Sequence, residues 1–142
     1  MSGSRPSLRD VTGIARLQLT AIDTPQPRAL AEFYAALVGL PIDESATDDD
    51  WIELDGGGGP TLAFQLAPAK RAPAWPEEGA LQFHLDVEVD DLDAGEAAVI
   101  AAGATKTAHQ PGTTFRVFLD PDVNPFCLVL STDRAAGDRA PS

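Results

Sequence analysis

The sequence predicts an α+β fold, because a strand, a helix and further strands follow one another twice along the chain. Arg16 to Asp23 and His84 to Asp91 have the same length, and each leads from a strand into the acidic start of a helix. An internal duplication at an offset of about 68 residues explains this order. The 142 residues suit a single domain, which we place at 13–132, between tails at 1–12 and 133–142.

The first module, residues 13–68, begins with a strand in which polar and apolar side chains alternate from Arg16 to Ile22. The spacing of the next apolar residues predicts a helix from Pro27 to Leu40, with Gly39 as its terminator. Two strands, at 51–55 and 61–66, flank four consecutive glycines. The glycine run leads into a strand and not into a helix, so it indicates a hairpin connection and not a phosphate-binding loop.

The second module, residues 81–132, follows a linker at 69–80 that is rich in proline, alanine and charge. Residues 81–90 alternate as a strand, and 91–102 form an alanine-rich helix that Gly103 closes. Two more strands are predicted at 113–119 and 126–131. Each module therefore has a strand, a helix and a set of later strands.

The charge and cysteine content exclude several classes of protein. The formal net charge is -12, from 22 acidic and 10 basic residues, so nucleic acid and anionic membrane surfaces would be repelled. The same charge favours solubility or a cationic ligand. The single cysteine, Cys127, forms no internal disulfide, and no apolar run is long enough to span a membrane. We therefore expect a soluble cytoplasmic protein.

Three segments together resemble the vicinal oxygen chelate superfamily, which includes glyoxalase I, extradiol dioxygenases and bleomycin-resistance proteins. They are RLQLTAIDTPQPRALAEFYAALVGLPI, HLDVEVDDLDAGEAAVIAAGA and FLDPDVNPFCLVL, and the similarity covers about residues 14 to 132, most specifically in the Asp-Pro-Asp-x-Asn of 120–124. The sequence is most similar to the compact glyoxalase-like domain branch. The resemblance implies two βαβββ modules that form a curved mixed sheet around a shared cleft.

Alternation along the strands predicts which side chains face such a cleft, since neighbours point to opposite faces of a sheet. In the first strand, Leu17, Leu19 and Ala21 are expected in the core. The alternate residues, Arg16, Gln18 and Thr20, are expected on the open face. Glu53, Ala63, Phe118 and Val129 are also predicted on open faces. The predicted ligand-binding residues are Arg16, Gln18, Trp51, Gln65, His84, Asp86, Arg116 and Cys127. The same alternation would also describe an ordinary sheet with one face in water.

Metal-dependent members of the superfamily carry four ligands, and alignment places those positions at Arg16, Gln65, His84 and Cys127. Only His84 is a suitable ligand, because an arginine is a permanent cation and a glutamine is at best a neutral oxygen donor. We therefore expect no metal cofactor. A displaced site at His84 and Asp86, completed by Glu53 or Glu88, is the alternative. In the competing interpretation His84 and Asp86 hydrogen-bond to each other, to a ligand or to Arg16, and Cys127 is a buried filler.

The resemblance and these residues leave two main hypotheses for function. The first is a protein that binds a small organic molecule in a concave cleft without the family's metal, as bleomycin-resistance proteins do. The second is a metal-dependent lyase, isomerase or dioxygenase that uses a displaced site, or His84 as a base oriented by Asp86. A weaker third is an interaction module. We expect a homodimer, since the superfamily usually covers its exposed sheet surface and edges with a second copy.

Overall fold

The computed structural model of this chain describes Gly13, residues 16–77 and residues 84–131. The predicted tails, linker residues 78–80 and the first three positions of the strand predicted at 81–90 lie outside the described residues. No helix in the described part of the chain is long and apolar enough to cross a membrane.

Nine helices and strands make up the two modules of the described chain. In the first they are β1 (Leu19–Thr24), α1 (Pro27–Val38), β2 (Trp51–Glu53) and β3 (Thr61–Leu66), with a short 3-10 helix at Glu44–Ala46. In the second they are β4 (Leu85–Val89), α2 (Leu92–Ala102), β5 (Thr105–Lys106), β6 (Phe115–Leu119) and β7 (Pro125–Leu130). The predicted order of strand, helix and strands in each module is confirmed, although the sequence analysis missed β5.

Both helices end at glycines, as the sequence predicted. Gly39 after α1 has φ 72° and Gly103 after α2 has φ 118°, in the left-handed region that glycine adopts without a steric penalty. At the other end, Pro27 occupies the first turn of α1, and the carboxylate of Asp91 accepts a hydrogen bond from the backbone N–H of Ala94 in α2. Local sequence therefore sets the bounds of both helices.

The strands form two mixed sheets, one in each module. The first has the order β1-β3-β2 and the second the order β4-β7-β6-β5. In both, the first strand of the module pairs in parallel with the last, β1 with β3 and β4 with β7. The other pairs, β2 with β3, β5 with β6 and β6 with β7, are antiparallel. The equivalent topology of the two sheets supports the duplication inferred from the sequence.

One hydrophobic core joins the two modules through their helices. Phe33 and Tyr34 of α1 pack against Phe64 of the first sheet and Phe126 of the second, with ring centroids 5.6 to 6.3 Å apart. Val99 of α2 lies in the same core. Each sheet thus has one face against the helices, which we call the helical face, and an opposite face, which we call the distal face.

The Asp-Pro-Asp-x-Asn segment is a structural turn between β6 and β7. The buried carboxylate of Asp120 accepts hydrogen bonds from the Tyr34 hydroxyl at 2.7 Å, from the backbone N–H of Asp122 and from both the backbone and the side chain of Asn124. Lys70, from the connection between the modules, donates to Asp122 and Asn124 on the outside of this turn. The most specific motif of the sequence therefore holds the modules together.

Candidate functional site

The distal face of the second sheet brings together three of the predicted site residues. His84 Nε2 lies 3.0 Å from Asp86 Oδ1, as the spacing of two residues on one strand face allows. Cys127 is the cross-strand neighbour of Asp86 in the pairing of β4 with β7. One ligand-type atom from each of His84, Asp86 and Cys127 lies within 4.8 Å of the others. We call these three residues the polar triad.

The Cys127 thiol is protonated in this environment. Burial and then the neighbouring Asp86 carboxylate, which also accepts a hydrogen bond from the thiol, raise the pKa of Cys127 to about 12. A thiol with this pKa is a poor nucleophile at neutral pH. Cys127 therefore acts as a small buried donor to Asp86, consistent with the interpretation of a buried filler, while the partly exposed His84 and Asp86 side chains are available to a ligand.

Trp51 and Gln65 meet on the distal face of the first sheet. Strand pairing places Trp51 beside Gln65, and Gln65 beside Asp23 of β1. The Trp51 indole donates to Glu53 Oε1 at 3.0 Å, which fixes the aromatic ring on this surface. Ile52, Leu54 and Phe64 occupy the helical side, so Trp51, Glu53 and Gln65 lie on the distal face of this sheet together with the small Ala63.

Arg116 does not face the predicted cleft, which corrects the sequence analysis. Its guanidinium bonds to Asp93 at 2.9 Å and to Glu96 at 2.8 Å, both on α2, so Arg116 points to the helical face. Phe118, two residues later, lies in the helical core with it. The prediction was wrong because β6 carries apolar residues on both faces. The polar side chain of Arg116 was taken to mark the face that is open to a ligand, but it lies on the helical face.

The face assignment of β1 was wrong as well. Ile22 packs against the helical core and is paired with Phe64, so Thr20 shares the helical side while Leu19 and Ala21 lie on the distal side. The segment Leu19–Thr24 carries apolar residues of both parities, and this made the pattern ambiguous. Arg16, Leu17 and Gln18 precede the strand and are exposed, Leu17 to 70%.

The residues at the four positions where the family carries metal ligands do not match the family's ligand set. Arg16 is an exposed cation outside the strands, and Gln65 lies in the first sheet with Trp51 and Asp23 as its neighbours. The polar triad offers three donor atoms from the second module alone, but its thiol would have to lose a proton, and its carboxylate already accepts a hydrogen bond from that thiol. The residues do not fit the family's quartet.

The structure also reveals an apolar cluster that sequence reasoning missed. Phe115 and Val117 of β6 lie on the distal face with Cys127 and Val129 of β7, and all four are at most 7% exposed. Trp75, which precedes β4, packs against this cluster, and its ring lies 5.4 Å from that of His109. The register between β6 and β7 would have revealed the cluster, since Val117 is paired with Cys127.

Comparison with known proteins identifies related folds. A glyoxalase/bleomycin resistance protein/dioxygenase family enzyme from Burkholderia phytofirmans PsJN, known from a crystal structure, has 26% sequence identity to this chain. The TM-score is 0.63, and the alignment covers 82% of this chain and 98% of the other. A glyoxalase-related enzyme from Fulvimarina pelagi is 14% identical, with a TM-score of 0.61 over 91% and 99%. An antibiotic binding protein from Streptomyces sp. CB03234 is 20% identical, with a TM-score of 0.53 over 84% and 98%.

None of the curated proteins matches this chain. The family model described as "Glyoxalase-like domain" matches residues 20–129, a span that runs from β1 to β7 and includes both sheets, both helices and the polar triad. The match supports the resemblance seen in the sequence, and so do the mixed sheets and their parallel pairs of first and last strands. The chain therefore belongs to the glyoxalase-like domain family, within the vicinal oxygen chelate superfamily.

Proposed function

We propose that this protein binds a small organic molecule on the distal faces of its sheets and does so without the metal used by enzymes of its superfamily. The observation that carries the proposal is the composition of the family's four ligand positions, in which Arg16 and Gln65 replace two of the ligands. A third, Cys127, is a buried thiol held by Asp86. The fold is compatible with such a role, since a protein of similar fold is an antibiotic binding protein.

The charges on the distal faces favour a cationic ligand. Glu53 lies there on β2, and Asp86 and Glu88 lie there on β4. Both basic residues of the described strands, Lys106 and Arg116, bond to Glu96 on α2 and so lie on the helical side. A cation that approaches the distal faces therefore meets carboxylates and no strand-borne positive charge among the described residues.

The direct test is native mass spectrometry of the purified protein together with elemental analysis. We expect a retained organic molecule and no stoichiometric metal. Replacing His84 should weaken retention, because His84 belongs to the polar triad, and should cost at most about 1 kcal/mol of stability, since its partner Asp86 is 38% exposed. Arg116→Ala is the matched control, because its side chain lies on the opposite face and should not change retention. Equal loss in both variants would contradict the proposal.

The geometry of the polar triad supports a second candidate, a metal-dependent lyase, isomerase or dioxygenase. Imidazole, carboxylate and thiolate donors within 4.8 Å of one another would suit zinc or another transition metal. Without a metal, the 3.0 Å contact would let Asp86 orient the His84 imidazole for proton transfer. Near-stoichiometric zinc, iron, nickel or manganese that is lost in both His84→Ala and Cys127→Ala would favour this enzyme over the binding protein.

We further propose that the protein is a cytoplasmic homodimer. Sheet edges at β1, β4 and β5 are free of strand partners within the described chain, whereas residues 41–48 already hydrogen-bond to the outer edge of β2. A second copy would cover the free edges. The reduced, buried Cys127 suits a reducing compartment. Light scattering should give about twice the chain mass of 14.9 kDa, and a monomer at micromolar concentration would contradict the dimer.

A further inference from the structure

We propose that the distal face of the second sheet is a binding subsite for a flat aromatic group, and that Trp75 occupies this subsite when no ligand is bound. The inference rests on the proposed binding function and adds to it a class of ligand and a means of control. It concerns Trp75 and the cluster of Phe115, Val117, Cys127 and Val129, which we call the distal cluster.

The distal cluster is an apolar surface in a place where the fold does not require one. The core that joins the helices to the sheets uses the other face of the same strands, through Phe118, Phe126 and Leu128. The distal face of the first sheet, by contrast, combines the polar Glu53 and Gln65 with Trp51, Leu19 and two small alanines, Ala21 and Ala63. A buried apolar face that does no packing against the helices has the composition of a small-molecule site, which is apolar with a few polar groups at its margin.

Those polar groups are the carboxylates of β4. Asp86 is paired with Cys127 and Glu88 with Val129, so one strand beyond the distal cluster two carboxylates lie on the same side of the sheet. They would bind a positive charge or a donor group carried by an aromatic ligand. An aromatic ring with a cationic or donor substituent therefore fits both the apolar and the charged part of this face.

The large side chain that packs on the distal cluster, Trp75, belongs to the connection between the modules, while Gly112 lies against Phe115 at the margin of the cluster. Trp75 comes from neither sheet, and its segment is held at one end by Lys70, which bonds to Asp122 and Asn124. A short turn follows Trp75, closed by a hydrogen bond from the N–H of Glu77 to the carbonyl oxygen of Ala74. Residues 70–77 belong to no helix or strand, and such connections open more readily than paired strands do.

The identity of the covering side chain indicates the class of ligand. An indole ring packs against the distal cluster and meets a second ring, that of His109, at 5.4 Å and a tilt of 56°. A surface that accommodates one flat aromatic ring offers the same contacts to another of similar size. A ligand of this class would compete with Trp75, and its apparent affinity would be reduced by the fraction of molecules in which Trp75 covers the site.

The test uses Nile red, an uncharged planar dye whose fluorescence rises in apolar surroundings. Trp75→Ala should bind the dye about tenfold more tightly than the wild type, because the competing indole is gone. Lys70→Met keeps the apolar stem of the lysine but removes its bonds to the turn, and should shift the affinity in the same direction. Ile100→Ala is the control, since Ile100 is 44% exposed on α2, away from the distal face, and its variant should bind as the wild type does.

A second measurement does not depend on the stability of any variant. Hydrogen exchange of the amides at 70–77 in the wild type should become faster on saturation with Nile red, since bound dye displaces the segment. Slower or unchanged exchange while the dye binds would overturn the proposal, and so would equal or weaker binding by both Trp75→Ala and Lys70→Met. If a ligand is retained on purification but none of these effects occurs, the binding function stands and the subsite is refuted. If no ligand is retained and the dye effects do occur, the subsite stands and the proposed retention of a ligand is refuted.

Discussion

The buried hydrogen bond between Tyr34 and Asp120 gives the most precise test of how the modules are joined. Tyr34 is on α1 of the first module and Asp120 is in the turn that ends β6 of the second, 86 residues later. The oxygens are 2.7 Å apart, and both side chains are almost fully buried. Tyr34→Phe removes the hydroxyl without changing the ring packing, so it isolates this one bond.

The expected cost follows from the character of the bond. A hydrogen bond to a charged group stabilises by about 1.5 to 3 kcal/mol, and Asp120 keeps its other donors, so we expect the lower half of that range. An unfolding entropy of about 2.1 cal/mol/K per residue gives about 0.3 kcal/mol/K for this chain of 142 residues. The melting temperature of Tyr34→Phe should therefore fall by about 5 to 7 °C, measured by circular dichroism or calorimetry.

The same bond has a signature in alkaline solution. Burial and then the Asp120 carboxylate raise the pKa of Tyr34 far above its ordinary value. The unfolded chain releases this proton near pH 10 and the folded chain does not, so the stability that Tyr34 contributes is present below about pH 10 and is lost as the pH rises further. Because the chain has one tyrosine, tyrosinate absorbance reports on Tyr34 alone.

We therefore expect tyrosinate to form only as the protein unfolds, in step with the loss of circular dichroism. Between about pH 9 and 11 the wild type should lose more stability than Tyr34→Phe, since the variant lacks the group that titrates. Two results would refute the reasoning: a tyrosinate signal at about pH 10 in protein that is still folded, or a melting temperature of Tyr34→Phe equal to that of the wild type.

Two further predictions concern single residues. Cys127 is the one cysteine of the chain, its side chain is 1% exposed and its pKa is raised to about 12. Thiol reagents at neutral pH should therefore react with it only at the rate of unfolding. Rapid reaction of the folded protein would show that the distal cluster is open. Gly39→Ala should lower the free energy of unfolding by about 1 kcal/mol and the melting temperature by about 3 °C, because φ is 72° at this residue. No atom crowds an added methyl group there, so the backbone conformation is the only cause of the loss. A variant as stable as the wild type would show that the helix ends differently.

The sequence was sufficient for elements whose signals are local. Both helices begin and end close to the predicted residues because proline, an aspartate cap and left-handed glycines act within a turn of the helix. The contact of His84 with Asp86 also follows from local spacing, since residues two apart on a strand share a face. Strand β4, with a clean alternation, was placed on the correct faces in its described part.

Features that depend on pairing between strands were not available from one sequence. Strands β1 and β6 carry apolar residues on both faces, and only the pairs of Ile22 with Phe64 and of Val117 with Cys127 determine which face is which. The same register brings Cys127 beside Asp86. Trp75 lies in a segment with no periodicity at all, so no pattern could place its ring on the second sheet.

The comparison of the two modules explains why the distal faces are the place to look for function. Both modules keep apolar residues on the helical face, because one shared core depends on that face in each sheet. The distal faces are free of this requirement, and they have diverged: the first carries Trp51, Glu53 and Gln65, whereas the second carries the distal cluster beside the polar triad. The two copies of a duplicated fold can differ in their residues on the distal faces because the shared core does not depend on those faces. The first face with Trp51, Glu53 and Gln65, the β4 carboxylates and the apolar second face could then each bind a different part of one ligand. The loss of two metal-ligand positions would remove nothing that this form of recognition needs.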